Sequence, residues 1–279
     1  MPLKAFIRLT RIEHSVFLAL AVVIGEVVIT KDLPVLPTLL GIISVFFIGM
    51  GSFALNDFLD YRTDKKNKRK DRPLVTGKIS LWAAIATAKV CFPLGVLFSL
   101  FINLSCFAIA LVFSALAIFY SYSLKKVMVL GNAFIAFSMA IPFVFGSYIV
   151  STQIDPAVQM LASMAFLTGF GREIIKSIQD MAGDRKYGRR TVPMFLGKRV
   201  SSIFAAIFIL EAVIISPLPF LMLPKFFNNW LYLGPIIITD LLLLASVAYS
   251  LKLRKLEKVR KMTLVALGLG LLGFLLGAL

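Results

Sequence analysis

Long apolar runs separated by short polar loops dominate this chain. Apolar runs of about 18 residues or more recur, and about 20 helical residues are enough to cross the ~30 Å hydrocarbon core of a bilayer. The pattern predicts nine spans, at residues 12–30, 34–55, 81–100, 103–120, 132–150, 155–176, 201–222, 230–251 and 262–279. The alternating segments of about ten residues that form a membrane β-barrel do not occur. We therefore expect an all-α polytopic membrane protein.

Composition agrees with this expectation, and charge gives an orientation. The chain of 279 residues is 59% hydrophobic and 16% charged, with a formal net charge of +16. Of its 30 Lys and Arg residues, 27 precede the first span or lie in loops and adjoining span ends on the same side of the predicted bundle. By the positive-inside rule that side is cytoplasmic, so the N-terminus is expected inside and the C-terminus outside. Because topology explains the charge, we expect the lipid bilayer and no nucleic acid as a partner.

The first polar segment, NDFLDYRTDKKNKRKDRPL, follows the second predicted span. Asp57, Asp60 and Asp64 are spaced i, i+3, i+7, so on a helix they share one face. Two carboxylates about 5.5 Å apart repel each other by about 3 kcal/mol at an effective dielectric of ~20. The cluster therefore needs nearby cations, and seven Lys or Arg residues occur in the eleven positions 62–72.

The same arrangement occurs again 120 residues later, where Asp180 and Asp184 repeat the spacing of Asp60 and Asp64. Each acidic pair ends the second span of a four-span block, and each precedes a basic loop. This offset indicates an internal duplication, two four-helix blocks plus one further helix. Two copies would bring two acidic faces together across a shared cavity.

Opposed carboxylates surrounded by Lys and Arg favour a particular chemistry. Hard oxygen ligands suit Mg²⁺, which substrate phosphate oxygens commonly help to coordinate. Guanidinium and ammonium groups would bind the remaining phosphate charge. With apolar helices beneath, the residues predict a site for an isoprenyl diphosphate bound through Mg²⁺. We expect one intramembrane domain over residues 1–279, with motif loops 56–80 and 172–200 on the cytoplasmic side.

The two motifs together resemble a known family. NDxxDxxxD with a basic loop and DRPL, followed by Lys-x3-Asp-x3-Asp, is similar to the UbiA superfamily of intramembrane prenyltransferases. The resemblance covers nearly the whole chain and includes YSYSLKK between the fourth and fifth spans. It implies Mg²⁺-dependent transfer of an isoprenyl group, with the allylic chain lying in a cavity open to lipid.

The resemblance also implies roles for individual residues. The implied metal ligands are Asn56, Asp57, Asp60, Asp64, Asp180 and Asp184. The implied catalytic residues are Asp60, Asp64, Asp180 and Asp184, with either Asp64 or Asp184 as the base. The implied substrate contacts are Asn56, Arg72, Tyr120, Tyr122, Lys125 and Lys176. Ser177 stands where many relatives carry an Asp, and Glu173, seven residues before Asp180, is a replacement carboxylate.

The acceptor is inferred from the start of the chain. RLTRIEHSVF, residues 8–17, is similar to relatives that prenylate 4-hydroxybenzoate or comparable quinone precursors, which implies Arg11 and His14 near an aromatic acceptor. The alternative acceptor is a glyceryl phosphate that carries one prenyl chain, as in archaeal ether-lipid synthesis.

Two other classes of protein stay open. A CDP-alcohol phosphotransferase is also Asp-rich, although its usual D-G-x2-A-R order is absent. A transporter would explain ionisable residues in or near the spans, where charge is costly; these are Glu26, Lys89, Glu211 and Asp240.

Overall fold

The computed structural model describes residues 2–186 and 191–279, and only the backbone of residue 126 and residues 182–186. All regular structure in these ranges is helical. The helices are α1 (Leu3–Thr10), α2 (Ile12–Val27), α3 (Val35–Lys66), α4 (Leu81–Leu100), α5 (Leu104–Tyr122), α6 (Met128–Val150), α7 (Pro156–Lys186), α8 (Val192–Ile215), α9 (Leu218–Met222), α10 (Trp230–Leu251) and α11 (Leu256–Ala278), with a 3₁₀ turn at Leu124–Lys126.

These helices confirm the predicted polytopic all-α fold. The nine predicted spans correspond, within the described ranges, to α2 through α8, α10 and α11. Seven segments of the described chain are long and apolar enough to cross a membrane: α3, α4, α5, α6, α8 together with α9, α10 and α11. The count of nine is approximate, because α2 has 16 residues, fewer than the about 20 that a perpendicular span uses.

The helices α3 and α7 are longer than a bilayer requires. They contain 32 and 31 residues, which corresponds to lengths of roughly 48 and 46 Å at the rise of an α-helix. A hydrocarbon core of ~30 Å leaves the last few turns of each helix beyond it. Those turns carry the two acidic motifs, so the fold holds both motifs on rigid helix rather than on loops.

Close contact between α2 and α6 joins the two halves of the chain. A Cβ atom added to Gly25 would lie 2.3 Å from the Phe143 carbonyl oxygen, and one added to Gly146 would lie 2.1 Å from the Val22 carbonyl oxygen. Only glycine permits this approach, which small residues commonly provide between membrane helices. The first helices of the two predicted blocks therefore pack backbone to backbone.

The loop geometry agrees with the predicted duplication. Gly77 and Gly197 lie 120 residues apart, and both have positive φ angles, +69° and +78°. Such angles belong to the left-handed region that glycine adopts without steric cost. Gly77 lies in the connection between α3 and α4, and Gly197 is a break within the first turns of α8. The helix α3 packs on α2 and α4 as α7 packs on α6 and α8.

Candidate active site

A cavity of about 600 Å³ lies at the end of the bundle where α3 and α7 finish. Its depth is apolar and is lined by residues such as Val45, Ile109, Phe113, Phe134 and Phe145. Its mouth carries the charged and amide side chains Arg11, Asn56, Asp60, Asp64, Arg69, Arg72, Lys125, Asn132, Glu173, Lys176 and Asp180. Val45 precedes Asp60 by 15 residues on α3, roughly 22 Å along the helix axis. This shape suits an amphiphile with an anionic head and a hydrocarbon tail.

The carboxylates of the first motif have different partners, although they share one helix. Asp60 and Asp64 line the cavity, and Lys125 Nζ donates to Asp60 Oδ1 at 2.7 Å. Asp57 is buried, with a side chain 2% exposed, and is absent from the described lining of the cavity. The i, i+3, i+7 spacing therefore delivers two carboxylates to the cavity and turns the third into the protein.

Two arginines compensate the charge of Asp57. Arg11 Nη2 and Arg72 Nη1 each donate to Asp57 Oδ1 at 3.0 Å. Arg72 also places its Nε 3.4 Å from Asp64 Oδ2. Burial lowers the pKa of the Arg11 guanidinium, while the charge of Asp57 opposes that change. The Arg-Pro that follows the first motif thus links the buried carboxylate to one that faces the cavity.

A second arginine of the loop after α3, Arg69, forms a salt bridge within that loop. Arg69 forms a two-pronged ion pair with Asp71, with Nε–Oδ1 and Nη2–Oδ2 distances of 2.9 and 2.7 Å. This hydrogen bonding lowers the pKa of Asp71 to about 2. Because Arg69 also lines the cavity, the pair positions a guanidinium at the mouth.

On α7, Glu173 is buried between two cations. Arg172 Nη1 donates to Glu173 Oε1 at 3.0 Å, and Lys176 Nζ donates to Glu173 Oε2 at 3.2 Å. Ser177 Oγ donates to the Glu173 carbonyl oxygen at 3.0 Å and is hydrogen-bonded to Asn132. The carboxylate proposed as a replacement ligand faces the cavity, but both of its oxygens accept from cations of its own helix.

Asp180 completes the opposite wall. It lies two turns beyond Glu173 and lines the same cavity as Asp60 and Asp64, so α3 and α7 bring carboxylates of both motifs to one space. Asp184 belongs to α7 by its backbone, and its side chain lies outside the described residues.

The tyrosines and the start of the chain divide between the cavity and its surroundings. Tyr120 lines the cavity and stacks on Phe134 with a ring-centroid distance of 4.6 Å. Tyr122 is 51% exposed, and the His14 side chain is 60% exposed and meets the Phe53 ring edge-on. Neither Tyr122 nor His14 is among the described cavity-lining residues, and their predicted substrate contacts stay predictions.

Among the charged and amide side chains of the mouth, sequence reasoning missed two, Arg69 and Asn132. Arg69 was counted only among the basic residues of its loop, and Asn132 was not considered. A lone amide near the start of an apolar span was the available signal for Asn132, since buried polar groups in membrane helices need partners.

The comparisons with known proteins agree with this geometry. The model of the UbiA prenyltransferase family matches residues 15–268. The chain therefore belongs to the UbiA prenyltransferase family and is a prenyltransferase. This confirms the resemblance seen in the two motifs and sets aside the phosphotransferase and transporter alternatives.

Two of the similar proteins are digeranylgeranylglyceryl phosphate synthases. The chain is 43% identical over 283 residues to the digeranylgeranylglyceryl phosphate synthase of Archaeoglobus fulgidus, with 99% of this chain and 96% of the relative covered. It is 32% identical over 281 residues to the protein of the same name from Pyrococcus furiosus, with 100% and 99% covered. These relatives span the whole chain, so the similarity includes both motifs.

Solved structures share the fold. A structure described as digeranylgeranylglyceryl phosphate synthase in membranes superposes with a TM-score of 0.84 at 33% identity, covering 99% of this chain and 98% of the other. A UbiA homolog from Archaeoglobus fulgidus bound to GPP and Mg²⁺ superposes with a TM-score of 0.72 at 21% identity, covering 99% and 100%. At that identity the second likeness shows the fold alone.

Proposed function

We propose that this protein transfers a prenyl group from a prenyl diphosphate to the hydroxyl of a glyceryl phosphate that already carries one prenyl chain. The observation that carries this proposal is the 43% identity over nearly the full chain to a digeranylgeranylglyceryl phosphate synthase. The cavity supports it, because a charged mouth above an apolar depth fits two substrates that each join an anionic head to a hydrocarbon tail.

The relatives do not support the aromatic acceptor that the start of the chain suggested. Arg11, on which that expectation rested, lines the cavity mouth and donates to Asp57, whereas His14 is absent from the described cavity lining. The glyceryl phosphate acceptor is therefore the better supported of the two alternatives.

Mg²⁺ fits the donor atoms at the mouth. The described residues contain no group of three or more His, Cys, Asp or Glu arranged to hold a metal ion. Mg²⁺ is usually bound through one or two carboxylates completed by phosphate oxygens rather than by an all-protein cage. Asp60, Asp64 and Asp180, with the Asn56 amide, are the described residues that would hold it. When bound, Mg²⁺ supplies positive charge that neutralises the leaving diphosphate.

The chain's own residues have separate tasks in this reaction. Lys125 and Arg72 would bind diphosphate oxygens through charge-assisted hydrogen bonds. The apolar depth excludes water from the allylic carbon, and the ring face of Tyr120 can stabilise positive charge there. As the allylic C–O bond breaks, the acceptor hydroxyl oxygen forms the new C–O bond and loses its proton. Asp64 or Asp184 would accept that proton.

A product assay tests the proposal. Purified protein in lipid vesicles would be given a labelled prenyl diphosphate with either a prenylglyceryl phosphate or 4-hydroxybenzoate, each with Mg²⁺ and with a chelator. We expect an ether product from the glyceryl phosphate that requires Mg²⁺. A ring-alkylated product from 4-hydroxybenzoate, with none from the glyceryl phosphate, would refute the proposed acceptor.

We further propose that residues 1–279 form one intramembrane domain with the N-terminus and both motif loops in the cytoplasm. The support is the one-sided distribution of Lys and Arg. The native thiols Cys91 and Cys106 are buried, so single added cysteines can be labelled against a low background. We expect Lys68→Cys to react with a membrane-impermeant maleimide only after cells are opened and Lys31→Cys to react in intact cells. The reverse pattern would contradict the orientation.

A further inference from the structure

A surplus of positive charge lies on α7 beside the cavity, where Glu173 and Lys176 belong to the described lining and Arg172, which donates to Glu173, does not. Arg172 and Lys176 both donate to the single carboxylate of Glu173. By contrast, Lys125 is paired with Asp60, and Arg69 is paired with Asp71. Arg172, Glu173 and Lys176 together thus carry one net positive charge.

Arg172 has a hydrogen-bond donor that is not used within the described structure. Its side chain is 16% exposed, and its Nε is buried without a hydrogen-bond partner among the described atoms. A buried, unsatisfied donor on a charged group is costly unless a ligand pairs with it. A guanidinium presents its donors in a planar fork that matches phosphate oxygens. The arrangement indicates an anion with several acceptor oxygens.

The position of Arg172 distinguishes it from the carboxylate end of the cavity. Arg172 and Lys176 precede Asp180 by eight and four residues on α7, which places them roughly 12 and 6 Å nearer the bilayer centre along the axis. A diphosphate held at the carboxylates lies at the outer end. The acceptor hydroxyl must reach the allylic carbon just below the diphosphate. A phosphate joined to that hydroxyl through glycerol therefore occupies a separate position beside the diphosphate.

We propose that Arg172, together with Lys176, binds the phosphomonoester of the glyceryl phosphate acceptor, and that Glu173 positions both cations. This inference rests on the proposed function. A phosphomonoester carries about −1.5 to −2 charges at neutral pH, part of which the surplus cation on α7 would compensate. Arg172 is then the residue by which the enzyme selects a phosphorylated acceptor over a neutral one.

The test compares two acceptors that differ only in the phosphate. Purified wild-type protein, Arg172→Ala and Arg172→Lys would be assayed with the prenylglyceryl phosphate and with the corresponding unphosphorylated prenylglycerol. For the wild type we expect a preference in kcat/KM for the phosphorylated acceptor on the order of 10- to 100-fold, the effect of a hydrogen bond to a charged group. In Arg172→Ala we expect most of that preference to be lost, with Lys176 retaining the remainder, and the KM for prenyl diphosphate to be unchanged.

A ratio of two acceptors separates recognition from structural damage. A variant that is merely misfolded loses activity with both acceptors by the same factor, so its preference is unchanged, and that result would overturn the inference. A rise in the KM for prenyl diphosphate with the acceptor preference intact would overturn it as well. Arg172→Lys, which keeps the charge without the fork, is expected to retain an intermediate preference.

Two further variants complete the design. Lys176→Ala, which leaves Arg172 in place, is expected to reduce the preference in part and carries the test if Arg172→Ala does not fold. Arg199→Ala removes an exposed arginine of α8 that does not belong to the group of Arg172, Glu173 and Lys176, and we expect the wild-type preference. If the wild type converts neither glyceryl acceptor, the proposed function itself fails before any variant is compared.

Discussion

Lys125 and Asp60 lie 65 residues apart in the chain, yet Lys125 Nζ is 2.7 Å from Asp60 Oδ1 at the cavity mouth. The turn between α5 and α6 thereby contacts the first acidic motif directly. Both side chains are largely buried, so bulk water screens the pair less than it would screen a surface pair. The ammonium group holds the carboxylate in place and can also donate to a phosphate oxygen that approaches it.

The first prediction concerns this ion pair. Lys125→Met removes a cation from the mouth and leaves Asp60 without this partner. We expect kcat/KM for prenyl diphosphate to fall by about 10- to 100-fold, the scale of a lost charge-assisted hydrogen bond. Steady-state kinetics at saturating acceptor would measure it, with Lys125→Arg as the charge-keeping control. Unchanged kinetics with prenyl diphosphate in Lys125→Met would rule out this role.

The second prediction concerns the carboxylates proposed to hold Mg²⁺. Asp60→Ala, Asp180→Ala and Asp184→Ala should each reduce Mg²⁺-dependent transfer by at least about 100-fold, because each removes charge needed at the leaving diphosphate. The proteins should still insert into the membrane, which fractionation and size-exclusion profiles would show. Wild-type turnover in any one of these variants would remove that residue from the site.

The third prediction separates Asp57 from its neighbours. Its buried carboxylate compensates Arg11 and Arg72, so Asp57→Ala leaves two partly buried cations without their shared partner. Breaking a buried pair in this way typically costs about 3–5 kcal/mol. We expect a clear fall in the thermal unfolding midpoint, and a smaller fall for Asp60→Ala, which removes a less deeply buried carboxylate and leaves one cation, Lys125, without that partner. Asp57→Ala with a normal midpoint and no activity would instead identify Asp57 as a ligand.

The fourth prediction concerns the contact between α2 and α6. Gly146→Ala would place a Cβ atom 2.1 Å from the Val22 carbonyl oxygen, so the helices must separate. Overpacking of this kind costs about 1–3 kcal/mol, and we expect a lower unfolding midpoint. The matched control is Gly268→Ala on α11, where no described atom beyond the adjoining residues of its own helix lies within 4 Å of the added Cβ. Equal midpoints for the two variants would contradict the observed packing.

Much of the fold could be predicted from sequence, because the relevant signals are local. Apolar runs of bilayer length predicted spans whose bounds coincide with those of α4 and α10. The 120-residue offset of the acidic pairs indicated that α3 and α7 end at the same side of the bundle, where Asp60, Asp64 and Asp180 line one cavity. The larger boundary errors fall where helices extend beyond the apolar run, as α3 does through Lys66.

The amino-acid sequence alone determined the membrane class, the repeated architecture and the pairing of two acidic motifs, since hydropathy, charge and spacing are properties of neighbouring residues. Only the tertiary structure decided which carboxylates face the cavity and which charges are in surplus. Asp57 and Asp60 share a helix face by spacing, but their partners Arg11 and Lys125 come from 46 and 65 residues away. An ion pair depends on where distant segments meet, and helical periodicity contains no information about that.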